Sequence, residues 1–348
     1  MLQDTDTFIL PAAINRVAEH QHLNAAQMTA VMRTIMTGGA TDAQIGGFLI
    51  GLRMKGETVT EITAAASVMR ELATGVDISG LAHAVDIVGT GGDASGTFNI
   101  STASTFVAAV AGCHVAKHGN RAVSSQSGSA DVLEAAGVNL HITAEQVAEC
   151  VGTIGVGFMF APGHHSAMKH AIGPRQQMAA RTVFNLLGPL TNPAAVPHLV
   201  LGVYDPAWII PLAEVIQRLG AVHAMVVSAE DGLDEISIGG PTQVAELRQG
   251  KIHEYRLDPV EFGFKLAPLS SIQAKDANQS VTMIQELLAG EPSAASDIVA
   301  LNAGAAIYVA GITETLAAGV KKAQTILHGG DALMRLQQLE TMTQGFVA

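Results

Sequence analysis

Residues 86–101 read DIVGTGGDASGTFNIS. A short apolar run, Ala84 to Val88, gives way to Gly89, Gly91, Gly92 and Gly96, with Asp93 among them and a run rich in Ser and Thr behind. Glycine loses more conformational freedom on folding than any other residue, so such a cluster marks backbone that turns hard or approaches something closely. The residues that follow, STASTFVAAVAG (101–112), read as a small-residue helix. The loop therefore joins a strand to a helix N-terminus, where free N–H groups and the positive end of the dipole bind anions. Phosphate is the ligand class this stretch predicts.

Working outward, the same strand–helix grammar continues. CHVAKHG (113–119) reads as a strand, SADVLEAAG (129–137) and TAEQVAECVGTIG (143–155) as helices, and VGFMFAP (156–162) as a strand. HLVLGVY (198–204), AWIIPLAEVIQRLG (207–220) and HAMVVSA (223–229) repeat strand, helix and strand. Strands alternating with helices imply a mainly parallel sheet under helical cover. Before residue 76 the pattern is helical. Met28, Val31, Met32, Ile35 and Met36 recur at helical spacing, as do Ile62, Ala65, Met69 and Leu72, and Asn24 with Gln27 forms a capping-box pattern. The tail from about 279 is helical again. The expected fold class is α/β: a small N-terminal helical domain joined to a larger α/β domain with a mainly parallel central sheet, and a cleft between them.

Composition narrows the function classes. The chain has 348 residues, 48% hydrophobic and 14% charged, with a net charge of −12. A chain this acidic has no general electrostatic footprint for nucleic acid or an anionic membrane. No run of about 18 apolar residues appears, and the opening MLQDTDTFIL carries acids where a signal peptide needs a basic start. Two cysteines, Cys113 and Cys150, make neither a disulfide framework nor a Cys-rich zinc site. The expectation is a cytoplasmic protein, and the low charge with abundant glycine favours an oligomer.

Other readings of the glycine loop fit less well. A Walker loop ends in Gly-Lys-Ser/Thr, and no lysine follows here. GTGGDA matches G-x-G-x-x-A, but a dinucleotide site wants an acid about 20 positions on, where this chain has the basic HVAKH (114–118). A plain tight turn stays open. Asp93 itself repels phosphate unless it serves a metal or a hydroxyl. A second cluster, KHGNRAVSSQSGSADVLE (117–134), puts Lys117, His118 and Arg121 around Gly119 and adds Ser124, Ser125, Ser127 and Ser129. Cations and hydroxyls between a strand and a helix read as a second phosphate cradle.

Taken in order, GTGGD (89–93), NIST (99–102), KHGNR with its Ser-rich continuation, RTVFNLLGPLTNP (181–193) and DGLDE (231–235) resemble the anthranilate phosphoribosyltransferases, a family of tryptophan biosynthesis. The resemblance runs through nearly the whole chain. It implies transfer of a phosphoribosyl group from phosphoribosyl pyrophosphate to the amine of anthranilate, on a nucleoside phosphorylase/phosphoribosyltransferase-like fold. It implies residues 1–76, joined by helices from about 165–190, as the small domain, and 77–164 with 191–348 as the large one. A homodimer and two Mg²⁺ ions per active site are implied as well.

Residue by residue, the resemblance sets phosphoribosyl pyrophosphate against Gly89, Gly92, Asp93 and Thr97. It sets the pyrophosphate against Asn99, Ile100, Ser101 and Thr102, with Ser101 a magnesium ligand. Lys117, His118, Gly119, Asn120, Arg121, Ala122, Val123, Ser124 and Ser125, with Ser129, would close over phosphate and ribose. Asp234 and Glu235 would bind the second magnesium; adjacent carboxylates in a loop suit that ion, although alone they would read as an acidic turn. Gly89, Asn120 and Arg175 would contact anthranilate. Lys117, Asn120 and Arg175 are thus the catalytic candidates, and His118 is available as a base without being marked as one. Arg181 reads equally well as a structural ion-pair partner.

Two departures from the family pattern stand out. Ser166 follows the histidine pair where the family carries proline, and Met178-Ala179-Ala180 precedes Arg181-Thr182 where it carries LG.RT. His164 and His165, with His170 nearby, lack a carboxylate or thiol at zinc-binding spacing; capping or lining the aromatic substrate's channel fits them better. The rival readings are a pyrimidine nucleoside phosphorylase, which GTGGD, NIST and DGLDE oppose, and a non-catalytic nucleic-acid-binding relative, which the acidic pair and the net charge oppose.

Overall fold

Three threonine and asparagine caps set out the first helices. The computed structural model describes residues 9–93, 95–122 and 127–346. The chain begins with α1 (Leu10–Ala18), α2 (Ala25–Met36), α3 (Asp42–Lys55) and α4 (Val59–Leu72). Asn24, Thr41 and Thr58 each accept the N–H three residues on, and Gln27, Gln44 and Glu61 return a bond to the cap N–H. Each box satisfies two N–H groups that the helix itself leaves open. Glu61 also takes Lys55 Nζ at 2.8 Å and the Leu23 N–H at 2.8 Å, tying the α1–α2 and α3–α4 connections together.

The rest of the chain runs β1 (Ala84–Gly89), α5 (Ile100–Val110), β2 (His114–Gly119), α6 (Ser129–Ala135), α7 (Ala144–Ile154) and β3 (Val156–Phe160). It continues through α8 (Ala161–His164), α9 (Lys169–Met178), α10 (Val183–Leu190), β4 (His198–Gly202), α11 (Ile209–Arg218) and β5 (His223–Ala229). It closes with β6 (Thr242–Arg248), β7 (Lys251–Leu257), α12 (Ala277–Leu288), α13 (Ala294–Val309), α14 (Leu316–Gly329) and α15 (Asp331–Gly345). The seven strands lie in the order β3-β2-β1-β4-β5-β6-β7. Pairing is parallel from β3 to β5 and antiparallel across β5–β6 and β6–β7. The expected fold class is what the chain adopts.

The β6–β7 hairpin is the part that the sequence reading passed over. Its turn, Gln249–Gly250, has both residues at positive φ (52° and 73°), as a two-residue hairpin turn requires. β7 is the outer strand and carries Lys251, His253, Glu254 and Arg256, charges that blunt an edge. Those charges also erase the apolar alternation that marks a strand.

Alternate residues of each strand feed two cores. Val85, Ile87, Val115, Val200, Met225 and Val227 pack under α5, α13, α14 and α15. Leu199, Leu201, Ala224, Val226, Ala245 and Leu247 face α11, α10 and the four N-terminal helices in one continuous cluster. Arg70 of α4 reinforces that side, donating to the Leu190 and Leu219 carbonyls at 2.7 and 3.2 Å. The helical layer is thus joined to the sheet beneath β4–β6 by a shared core.

The topology also fixes where a ligand goes. From β1 the chain moves outward through β2 and β3, then returns as β4 on the other flank of β1. Neighbouring strands whose connections leave in opposite directions open a crevice at their C-terminal ends. Here those ends are Gly89 and Gly202, paired in register.

Candidate active site

The crevice is covered by the DGLDE loop. A Cβ on Gly202 would overlap the Asp234 carbonyl, and one on Gly89 would lie 2.5 Å from Asp234 Oδ2. These two glycines therefore let the acidic loop settle on the strand ends. Asp234 Oδ2 accepts the Gly91 N–H at 2.7 Å, and Glu235 Oε1 accepts the Ser101 N–H, in the first turn of α5, at 3.0 Å. Sequence reasoning gave the loop amides to phosphate. Two of them are held in this structure by the acidic pair.

The pair is poorly compensated. Burial, followed by the charge of Asp93, pushes the Asp234 carboxyl up to about 6, against the Gly91 N–H and Arg181. Burial again, then Asp234 and Asp93, pushes Glu235 well above the usual carboxylate range. Lys117 is the buried cation beneath them, 2% exposed, with Nζ donating to Ile87 O at 2.7 Å and Ser101 Oγ at 3.1 Å. Its own pKa is lowered by burial, with Asp86 and Glu235 working the other way. Carboxylates crowded in this way are relieved by a hard cation. The donor set, two carboxylates and the Ser101 hydroxyl, is all oxygen and fits Mg²⁺. Among the described residues no group of three or more His, Cys, Asp or Glu forms a closed metal cage. Mg²⁺ does not need one, since it uses one or two carboxylates together with substrate phosphates.

The first turn of α5 is held from several sides. Asn99 caps it, accepting the Thr102 N–H at 3.1 Å, while its own N–H donates to Ser280 Oγ at 3.0 Å. Ile100 and Thr102 are buried; Ile100 belongs to the core, and Thr102 Oγ1 has no hydrogen-bond partner among the described residues. Thr97 bridges to Gln273, and Asp93 Oδ1 accepts the Ser95 N–H at 3.4 Å.

The second cluster is arranged differently from its reading as a charged cradle. A Cβ on Gly119, the last residue of β2, would overlap Ser129 Oγ at the start of α6. Arg121 lies along α6: it forks onto Glu134 at 2.7 and 2.9 Å, reaches Asp131 at 3.2 Å and covers the Phe160 ring at 5.5 Å. Two acids thus neutralise it. Asn120 Oδ1 accepts the Arg121 N–H at 2.8 Å, and the Ala122 N–H donates to Asp131 Oδ2 at 2.8 Å. Val123, Ser124 and Ser125 lie outside the described residues.

A less polar flank adjoins this cluster. His118 and His165 are buried, their rings 5.1 Å apart, and the Nε2 of each has no partner among the described residues. Burial, then neighbouring histidines, lowers His118 to about 3 and His165 to about 4. Both are neutral imidazoles at pH 7. His164 is a structural clip: its Nδ1 lies 2.9 Å from Thr74 O, and its carbonyl accepts the Thr74 N–H at 2.8 Å. Arg175 lies 5.0 Å over the Phe184 ring and has no carboxylate partner among the described residues. No hydrogen bond among those residues joins it to Gly89 or Asn120.

One site residue escaped the sequence reading, and another, Arg181, reads there as an ion-pair partner. Asp86 is buried within β1, takes Asn192 Nδ2 at 2.7 Å and sits beside Lys117; burial pushes its carboxyl up to about 6. An acid inside the apolar run AVDIVG was the available signal. Arg181 reaches the glycine loop instead of an acid, donating to Gly91 O at 3.1 Å and Gly92 O at 3.4 Å.

Comparison with known proteins agrees with this layout. Residues 11–73 match a glycosyl transferase family helical bundle domain, and residues 81–333 match the α/β domain of the same family. An anthranilate phosphoribosyltransferase of Alkalilimnicola ehrlichii is 58% identical over 335 residues, covering 96% of this chain and 99% of the relative. One from Thioalkalivibrio sulfidiphilus is 59% identical over 331 residues, covering 95% and 98%. The crystal structure of anthranilate phosphoribosyltransferase from Thermus thermophilus superimposes with a TM-score of 0.91 at 41% identity, covering 96% of this chain and 99% of that one. A Saccharomyces cerevisiae enzyme solved with PRPP and Mg shares the fold at 24% identity and a TM-score of 0.88. With strand order, acidic loop and relatives in agreement along the same length of sequence, the chain belongs to the anthranilate phosphoribosyltransferase family.

Proposed function

We propose that this protein transfers the 5-phosphoribosyl group of phosphoribosyl pyrophosphate to the amine of anthranilate, releasing pyrophosphate, in tryptophan biosynthesis. The observation that carries the reading is the half-buried, under-compensated pair Asp234–Glu235 over the C-terminal ends of β1 and β4. Phosphoribosyl pyrophosphate is assigned to Gly89, Gly92, Asp93, Thr97 and Asn99 to Thr102, with the segment Lys117 to Ser125 and Ser129 over it. Anthranilate is assigned to Gly89, Asn120 and Arg175. Two Mg²⁺ ions are assigned, one at Ser101 and one at Asp234 and Glu235; when bound they neutralise the charge that builds on the departing pyrophosphate.

In the reaction the amine nitrogen bonds to C1 of the ribose as the C1–oxygen bond to pyrophosphate breaks, and the nitrogen loses one proton. The chain's own groups have mostly to position and to neutralise. Lys117 is fixed by Ile87 O and Ser101 Oγ under the first turn of α5, where its ammonium group would meet the pyrophosphate. Arg175, without an acid of its own, is available to fork onto the anthranilate carboxylate. An arylamine is already neutral at pH 7, so no strong base is needed, and the departing proton can leave to solvent or to the released pyrophosphate. Exclusion of water protects the activated ribose from hydrolysis.

The homodimer and cytoplasmic location stay part of the proposal. Met54 of α3 and Ile172 of α9 are exposed apolar side chains, 73% and 45% accessible, on two helices that pack together. Exposed apolar side chains on this layer support a second copy packing there. The small domain is assigned to 1–76 with about 165–190.

The test is loss of anthranilate fluorescence in purified protein supplied with phosphoribosyl pyrophosphate and Mg²⁺, with and without EDTA. Loss that requires every component and stops with EDTA supports the reading. A folded protein that leaves anthranilate untouched but phosphorolyses thymidine or uridine overturns it.

A further inference from the structure

The geometry points to Arg181 as a positioning residue that fixes the glycine loop through the backbone of Gly91 and Gly92, and through Gly91 the carboxylate of Asp234. This rests on the function proposed above. Arg181 stands between α9 and α10, in the helical layer, yet its guanidinium reaches across to the loop after β1. Nη2 donates to Gly91 O at 3.1 Å and Nη1 to Gly92 O at 3.4 Å. The guanidinium lies 3.8 Å from the centre of the Tyr204 ring, just beyond β4. Its own carbonyl accepts Arg53 Nη1 of α3 at 2.9 Å, so the segment that carries it is anchored from behind.

The ordinary role of a partly buried arginine is an ion pair, and Arg181 has none among the described residues. Its Nε is buried without a partner there, so its two terminal nitrogens, on Gly91 O and Gly92 O, make all of the side chain's hydrogen bonds among those residues. The planar fork meets two successive carbonyls, a geometry that a lysine's single ammonium cannot reproduce.

Gly92 shows how tightly the loop is built around this side chain. It has φ +79°, and a Cβ there would overlap Arg181 Nη1. Gly91 lies between two restraints. Its N–H is held by Asp234 Oδ2 and its C=O by Arg181 Nη2. Neither Gly91 nor Gly92 has a side chain that could restrain the loop in another way. Without Arg181, the peptide that orients Asp234 would keep one restraint of the two. Arg181 therefore acts on the phosphoribosyl pyrophosphate and Mg²⁺ side of the site, and anthranilate should not sense its loss.

Arg181→Met, which keeps an apolar stem on Tyr204, and Arg181→Lys, which keeps the charge, test this directly. In the unliganded protein, hydrogen exchange of a peptide spanning 89–93 should quicken about tenfold in both, the scale of losing one charge-assisted bond. In activity, the KM for phosphoribosyl pyrophosphate and the Mg²⁺ half-saturation should rise by about the same factor while the anthranilate KM stays put. Gly92→Ala should harm the wild type more than the Arg181→Met background, because the φ strain is common to both and the overlap is not. Unchanged exchange, a parallel rise in both KM values with a fallen Tm, or full recovery with lysine would each overturn the proposal. An inactive wild type would sink the proposed reaction and leave the exchange comparison to decide on Arg181.

Discussion

The sheet carries acids shielded from water at both of its ends, Glu246 buried and Asp234 with Glu235 half-buried, and they are treated in opposite ways. Near the N-terminal end of β5, Glu246 accepts His223 Nε2 at 2.8 Å, Tyr255 OH at 2.9 Å and Tyr308 OH at 2.7 Å. Burial works to raise its pKa, but the bonds from His223, Tyr308 and Tyr255 outweigh it and bring the carboxyl down to about 2. At the C-terminal end, Asp234 and Glu235 each accept one backbone N–H and repel one another, and both pKa values are raised. Buried polar groups that serve only the fold are satisfied by their neighbours. A half-buried pair left short of partners marks a place where a ligand is meant to complete the set.

The widest separation between the two ends should come from Asp234→Asn. Turnover should fall by about 10² to 10³-fold, the scale of losing one preorganised electrostatic group, as initial rates at saturating substrates would record. Glu246→Gln should do the reverse. It should lower the unfolding free energy by about 2 kcal/mol, because a phenol or the imidazole is left without its acceptor, while kcat stays at the wild-type value. A Glu246→Gln enzyme that folds normally but turns over slowly would break the division.

Acid should sharpen the contrast, since the two ends respond in different pH windows. Glu246, depressed in the fold, contributes stability that is complete above its unfolded value of 4.5 and is lost as pH falls from there toward about 2. His118 and His165 are also depressed, but as bases: the unfolded chain binds their protons below 6.5 and the folded chain resists until about 3 and 4. Their share of stability is therefore complete above pH 6.5 and is lost as pH falls below it. Asp86, raised to about 6, works in the opposite direction, so the effect must be read as a difference. Urea unfolding at pH 7 and pH 5 should show a drop about 2 kcal/mol smaller in His118→Gln than in the wild type. An equal drop in both would return the pH 5 sensitivity to groups elsewhere. The smallest effect should be that of Arg175→Ala, a rise of about tenfold in the anthranilate KM from the loss of a charge-assisted contact. A KM that does not move would mean that anthranilate lies elsewhere.

The sequence carried much of this fold because the strand–helix units from Ala84 to Ala229 announce themselves locally, with apolar runs, caps and glycine stops. The β6–β7 hairpin stayed hidden because its outer strand is charged for the sake of its edge. The site was legible as a set of short motifs and illegible as a geometry. Nothing near Gly91 or Ser101 tells that their amides are taken by residues of a loop far along the chain. Arg121 reads as a free cation in KHGNR, although Asp131 and Glu134, one helical turn apart, were visible as its partners. Arg181 could be placed on the glycine loop only by a structure, because the contact crosses from the helical layer to the sheet.

The most direct measurement is the denaturant midpoint of Asp234→Asn against wild type at pH 7 in EDTA. An amide keeps an acceptor for the Gly91 N–H and removes the repulsion with Glu235, so the variant should unfold at the same or a higher denaturant concentration while losing its turnover. A midpoint lowered as far as that of Glu246→Gln would mean that Asp234, too, is there to hold the fold, and would contradict the account.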